Sequence, residues 1–278
     1  MRPVTILLLG LIIAVAALSG CGGDGVSYYT LAGNSFPTAL GTNWAYRMDV
    51  TTHYLDEEVT AQVRSTRQVS DVVPAAVGTS AVQTVKITDY FPAIAVPDVN
   101  LSPTSACGQY LDYLFSAGEG GLRDWCEYFT CYDTDGDGTY NRIVRTASGP
   151  PRGLATPVPD KQPFLRNPII CGQATTTSVP LTTIPFFTNN DTLSGTTTTL
   201  KVQYRSPDDI LGIGTAVQYV TYVQTVQASI DFQGLQGPCT GTVTTNLAKN
   251  YGPVTKDIDL EFRLGGLLRF HILMTYIP

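Results

Sequence analysis

The sequence predicts an all-β protein: a single curved antiparallel sheet or half-open barrel with long Pro- and Gly-rich loops, preceded by a signal peptide and a short tether. Three observations carry that expectation. Apolar and polar residues alternate with a period of two along most of the chain, as in strands with one wet face. The alternating runs are rich in Thr, Val and Tyr, which fit a pleated surface. The 26 Gly and 18 Pro fall largely between those runs, where they read as turns.

The first twenty residues are a separate element. One Arg precedes an apolar run from Val4 to Leu18, broken by Thr5 and Gly10, and small residues then lead to Cys21. That is the order of a secretory signal, and the run is too short to predict a membrane span. Leu18-Ser19-Gly20-Cys21 resembles the bacterial lipobox. The resemblance implies cleavage before Cys21, diacylglycerol on its sulfur and acylation of the new amine, so that several acyl chains hold the protein on a bilayer. The competing reading is an ordinary secretory signal that contains a Cys. Gly22, in place of Asp, implies the outer membrane in a two-membrane envelope. Residues 21–35 then form the lipidated Cys and a flexible Gly-rich tether, and residues 36–278 the exported β-rich domain.

Strand patterning begins at Trp44, where Trp44, Tyr46, Met48 and Val50 alternate with Ala45, Arg47, Asp49 and Thr51. Further strands are expected at 58–69, 81–90, 127–132, 140–146, 197–205, 216–232, 240–246, 256–264 and 267–277. The best helical segment is Gln109 to Ala117, short and followed by Gly118, Gly120 and Gly121. Residues 148–168 carry six prolines and cannot pair inside a sheet. This stretch is expected to be a long loop crossing between parts of one sheet; the alternative is an interdomain linker. The Thr runs 175–177 and 196–199 read as strand or turn in preference to glycosylated linker.

Composition bounds the function. Only 14% of residues are charged and the net charge is −6, which excludes a highly charged disordered chain and an electrostatic binder of nucleic acid. Loss of Arg2 with the signal makes the exported protein more acidic still. Beyond Cys21, the five cysteines Cys107, Cys126, Cys131, Cys171 and Cys239 are an odd number. In an oxidising compartment the simplest count is two disulfides and one free thiol. Cys126 and Cys131 have C-x4-C spacing, but with only His53 and His271 available disulfides are favoured over zinc.

The most specific motif runs from Asp133 to Val144. Side-chain oxygens on Asp133, Asp135, Asp137 and Asn141, with Gly138 at the tight turn and the Thr139 carbonyl between, follow calcium-loop spacing. Val144 stands where an EF-hand has its bidentate Glu, and strand-like runs flank the loop. The segment resembles the strand–loop–strand calcium loops of exported repeat proteins, and the expected affinity is weak, about 10⁻⁴–10⁻³ M. An ion-free Asp/Gly hairpin is the competing reading. Elsewhere Asp257, Asp259 and Glu261 alternate with apolar residues and read as the wet face of a strand. His53 and His271 read as single strand residues, and no serine-hydrolase, zinc-protease or phosphate-loop motif is present.

Two short signatures near opposite ends of the exported domain carry a family resemblance. Phe36-Pro37-Thr38-Ala39-Leu40-Gly41-Thr42-Asn43-Trp44-Ala45-Tyr46 resembles the F-P-L-x-x-G-x-x-W-x-Y opening of a group of exported bacterial β-rich domains, many of them lipoproteins. Asn250-Tyr251-Gly252-Pro253-Val254-Thr255-Lys256 is similar to their late Y-x-x-G-x-V-K turn. The resemblance implies a curved sheet related in shape to the half-barrels of periplasmic lipoprotein carriers. On the residues themselves, Gly41 is expected to turn the chain and the Trp44 and Tyr46 rings to fill a core; the alternative is that they line a ligand cavity. The expected function is a lipid-anchored, non-enzymatic binding or scaffold module of the cell envelope, with a structural calcium ion and an envelope protein as partner. A carrier or sensor of a hydrophobic ligand is the alternative, and a hydrolase with an unrecognised site the third.

Overall fold

A computed structural model describes residues 37–77, 80–92, 94–95, 105–106, 109–118, 121–131, 143–146, 165, 174–179, 192–232 and 234–278. Fourteen strands follow one another in them: β1 (Asn43–Tyr54), β2 (Glu57–Val77), β3 (Ser80–Phe91), β4 (Ile94–Ala95), β5 (Ser105–Ala106), β6 (Gln109–Gly118), β7 (Gly121–Cys131), β8 (Ile143–Thr146), β9 (Thr175–Ser178), β10 (Thr192–Asp208), β11 (Val217–Phe232), β12 (Leu235–Ala248), β13 (Gly252–Arg263) and β14 (Leu267–Ile277). Twelve of them form one open antiparallel sheet in the order β8-β7-β6-β3-β2-β1-β14-β13-β12-β11-β10-β9, and β4 and β5 form a small separate pair. The path starts in the middle at β1, steps outward to β8, resumes at the opposite edge with β9 and steps back to β14 beside β1. The described strands on either side of the proline-rich stretch, β8 and β9, are thus the two edges of one sheet.

Alternation decides which face is wet. Along β1 every second residue from Trp44 to Tyr54 is buried, and the same holds for Val220 to Phe232 on β11 and Leu268 to Met274 on β14 apart from partly buried Ala228. Their buried sets merge into one core with Val85, Ile87 and Phe91 of β3 and with Leu165 of the edge-to-edge connection. A single sheet buries much of one face on itself by coiling. Ring contacts show that it does: Phe232 of β11 lies 6.0 Å from Phe270 of β14, edge to face. Three strand spacings in a flat sheet are about 14 Å, so these rings meet across a concave surface. Phe262 of β13 joins the same cluster at 5.4 Å from Phe270.

Gln109–Ala117 is strand β6, not helix. Its Tyr-Leu-x-Tyr-Leu-Phe composition favours a pleated surface, and ladders to β3 on one side and β7 on the other satisfy its backbone. The short Thr run at 175–177 is edge strand β9, whose hydroxyls meet those of β10 at 3.1 Å (Thr176–Thr198) and 3.0 Å (Thr177–Thr197).

The inward thiol of Cys239 is free and fully buried. Burial pushes it up to about 12, so it stays a protonated, hydrocarbon-like group. With excess aromatic disulfide reagent, Cys239 is expected to react at least about a hundredfold more slowly in the native protein than in denaturant, since attack requires the thiolate and access. Peptide mapping of the labelled site reads this out. Cys126 and Cys131 both lie in the continuous strand β7. Five residues along a strand separate them by about 16 Å, too far for one disulfide or one zinc ion. Cys21, Cys107 and Cys171 lie outside the described residues.

Candidate functional site

The two signature segments, some 200 positions apart in sequence, touch in space. The Trp44 indole N–H donates to the Tyr251 carbonyl, and the Tyr46 hydroxyl donates to the Pro253 carbonyl at 2.9 Å. Both reach from β1 across β14 to the turn that opens β13. Gly252 has φ +78° and sits under the indole: a Cβ there would stand 3.4 Å from Trp44 Nε1 and 3.5 Å from Pro37. Just before β1, Gly41 turns the chain at φ +83°, its N–H donates to the Val69 carbonyl, and Val69 N–H returns to the Thr42 carbonyl. The turn, the two rings and the late glycine therefore form one lock that closes the sheet at the end where residue 37 leads in. Tyr276 packs edge-on against both Tyr46 and Tyr251.

Beside this lock lies a buried ion pair that the sequence reading missed. Arg67 on β2 stands opposite Trp44 of β1 on one side and Asp89 of β3 on the other. Its Nε and Nη2 donate to the two carboxylate oxygens of Asp89, each at 2.6 Å. The side chains are only 11% and 3% exposed. Such a fork satisfies the geometry of both groups, and only that makes their burial tolerable. One row along, the buried Ser65 hydroxyl has no partner among the described residues. Burial pushes the Tyr46 phenol above its usual range, with the Arg67 charge offsetting part of the effect. A signal did exist in sequence: Arg67 interrupts the inward set Val63, Ser65, Val69, and Asp89 interrupts Val85, Ile87, Phe91. Two opposite charges each breaking a core row in adjacent strands are the pattern of an internal pair.

The remaining candidates separate. Asp257, Asp259 and Glu261 lie on the outer face of β13, as alternation implies. His271 of β14 meets Asp257 at 3.0 Å in the open, and Arg269 meets Glu261 at 2.8 Å. His53 lies one row from His271 on β1, opposite Glu58 and Arg269. Among the described residues His271 bonds to a carboxylate, and no hydrogen bond joins a serine or cysteine to either imidazole. Trp44 and Tyr46 are core rings, each 3% exposed.

Asp133, Asp135, Asp137, Thr139 and Asn141 lie outside the described residues. Of the described residues that flank them, Cys131 of β7 pairs with Ile143 of β8 at the end of the sheet away from the Trp44 lock. Among the described residues no group of three His, Cys, Asp or Glu converges on a metal position, and no helix is long and apolar enough to cross a membrane.

Compared with protein-family models, curated proteins and solved structures, the chain has no significant match.

Proposed function

We propose that this protein is a lipid-anchored domain of the bacterial cell envelope that acts as a non-enzymatic scaffold or binding module. The lipobox-like Leu18-Ser19-Gly20-Cys21 supports the anchor, and Gly22 supports the outer membrane. The observation that carries the scaffold reading over the carrier is the filled inner face. A carrier needs an apolar cavity of at least about 300 Å³. On β1 and β11 to β14 that space is taken by the chain's own Met48, Phe232, Ile258, Phe262 and Phe270, each at most 3% exposed. The Asp133–Asn141 segment is proposed to hold a structural calcium ion at the end of the sheet away from the lock, where the ion would neutralise three close carboxylates.

In bacterial cells producing the full chain, the protein is expected to fractionate with membranes and to carry an acylated Cys21 by mass. The Cys21→Ser variant is expected in the soluble fraction, because removal of the acyl chains removes the hydrocarbon that holds the protein. Equal membrane retention of the two proteins, with no acyl mass on the wild type, overturns the anchor. Native mass measurement of the soluble variant before and after chelation tests the ion, through loss of one calcium mass.

A further inference from the structure

The β2–β3 hairpin leaves the sheet at the end where residue 37 leads in. Pairing of β2 with β1 stops at Gln68 and Val69 meets the Gly41–Thr42 turn, while β2 itself runs on to Val77, paired from Asp71 onward with β3 alone among the described residues. On the other side, the ladder between β3 and β6 begins only at Val85. Nine residues beyond Gln68 amount to about 30 Å of strand. A bulge at Ser70 marks the departure, since the register shifts between Val69 and Asp71, and a bulge re-aims the strand that carries it. Ser70 is tied back into the sheet through Thr88 at 2.9 Å and the Lys86 carbonyl at 3.3 Å.

Composition changes at the same place. Asp71 and Lys86 face each other at the base, and the fourteen residues between them carry no charge: five are Val and three are Ala. A two-stranded ribbon is marginal in water by itself, and an uncharged ribbon rich in Val whose outer edges pair with no other strand among the described residues is an aggregation hazard unless something covers it. At the base Val72 is 37% exposed, and the neighbouring turn presents Leu40 at 66%.

The position of the tether says what covers it. Fifteen residues lie between Cys21 and Pro37, a reach of about 20–25 Å for a Gly-rich chain of that length. It meets the domain in the turn that pairs with Val69, one residue before the bulge. We propose that the ribbon formed by Val72–Val77 and Ser80–Thr84, beyond the last β3–β6 pair at Val85, docks on the lipid bilayer that holds the anchor, a proposal that rests on the lipid-anchor reading above. Its open edges keep it at the boundary of headgroups and acyl chains, because unpaired backbone groups are not tolerated in the hydrocarbon interior. The acyl chains and the ribbon then make two contacts, which fix the orientation of the sheet relative to the membrane where a tether alone would not.

Depth-dependent quenching tests this. The full lipidated chain is reconstituted into phosphatidylcholine vesicles with Trp introduced as Val77→Trp, or as Ala76→Trp should the first variant misfold. Leu55→Trp, in the turn at the opposite end, is the reference. Bromination of the acyl chains is expected to remove at least about half of the emission added at the ribbon and almost none at Leu55, since interfacial segments sit about 5–10 Å deep. Equal, weak quenching at both positions in vesicles that still retain the protein overturns the ribbon proposal and leaves the anchor standing. Failure of the wild type to float with the vesicles overturns both. Cross-linking of copies through the ribbon without quenching assigns it to self-association, which also overturns bilayer docking.

Discussion

Trp44→Ala is expected to lower the free energy of unfolding by about 3–5 kcal/mol, the range for truncating a large buried aromatic. The indole is almost fully buried and supplies the N–H that the Tyr251 carbonyl accepts. The loss is therefore twofold, a cavity at the end of the sheet and a carbonyl left without its donor. Trp44→Phe separates the two, since it restores most of the ring volume and none of the donor; about 1–3 kcal/mol is expected from the unmade hydrogen bond and the smaller ring. Urea titration followed by circular dichroism measures both. A cost below about 1 kcal/mol for the alanine variant, in the range of ordinary surface changes, would mean that the two signature segments do not hold each other.

Asp89→Ala is expected to cost about 3–5 kcal/mol, because it removes the carboxylate that two nitrogens of the buried Arg67 guanidinium share. The double variant Arg67→Met/Asp89→Leu is expected to recover most of that loss or to exceed wild-type stability, as apolar side chains of similar volume often do when they replace a buried pair. The measurement is a double-mutant cycle by chemical denaturation. A double variant as unstable as Asp89→Ala alone would show that the pair does more than satisfy itself, for instance by setting the register of β2 against β3. Register is open to such control here, since the bulge at Ser70 lies only three residues from Arg67.

The parts of the fold that were legible in sequence are those where a period of two runs unbroken. β14 falls on the expected 267–277 and β11 within one residue of its expected start, because each has one buried and one wet face along its whole length. Ends were less legible. β2 was expected to stop at Val69 and runs to Val77, since the bulge at Ser70 shifts the phase and the residues beyond it no longer alternate. β7 starts at Gly121, six residues before its expected start, and β6 was mistaken for a helix. In both, clustered aromatic residues obscure the alternation that neighbouring ladders impose. At the candidate site, the two signatures were each visible, but their contact was not, because nothing local in a sequence says that residue 44 will meet residue 251. Arg67 and Asp89 were passed over for the related reason that each is unremarkable alone.

The sheet order also sets the timing of folding. β1 is the first strand of the sheet to be synthesised and β14 the last, yet they are neighbours over ten paired positions. Hairpins such as β1–β2 and β2–β3 close over short loops and can form as soon as they emerge. The central seam must wait until more than two hundred further residues have been made, and closing a loop of that length carries a large entropic cost before any contact rewards it. Until then β1 has only one partner and its inward rings have no turn to bind. Formation of the Trp44–Tyr251 contact should thus coincide with the slowest folding phase, and with Trp125 replaced by Phe indole emission becomes a clock for completion of the sheet rather than for collapse.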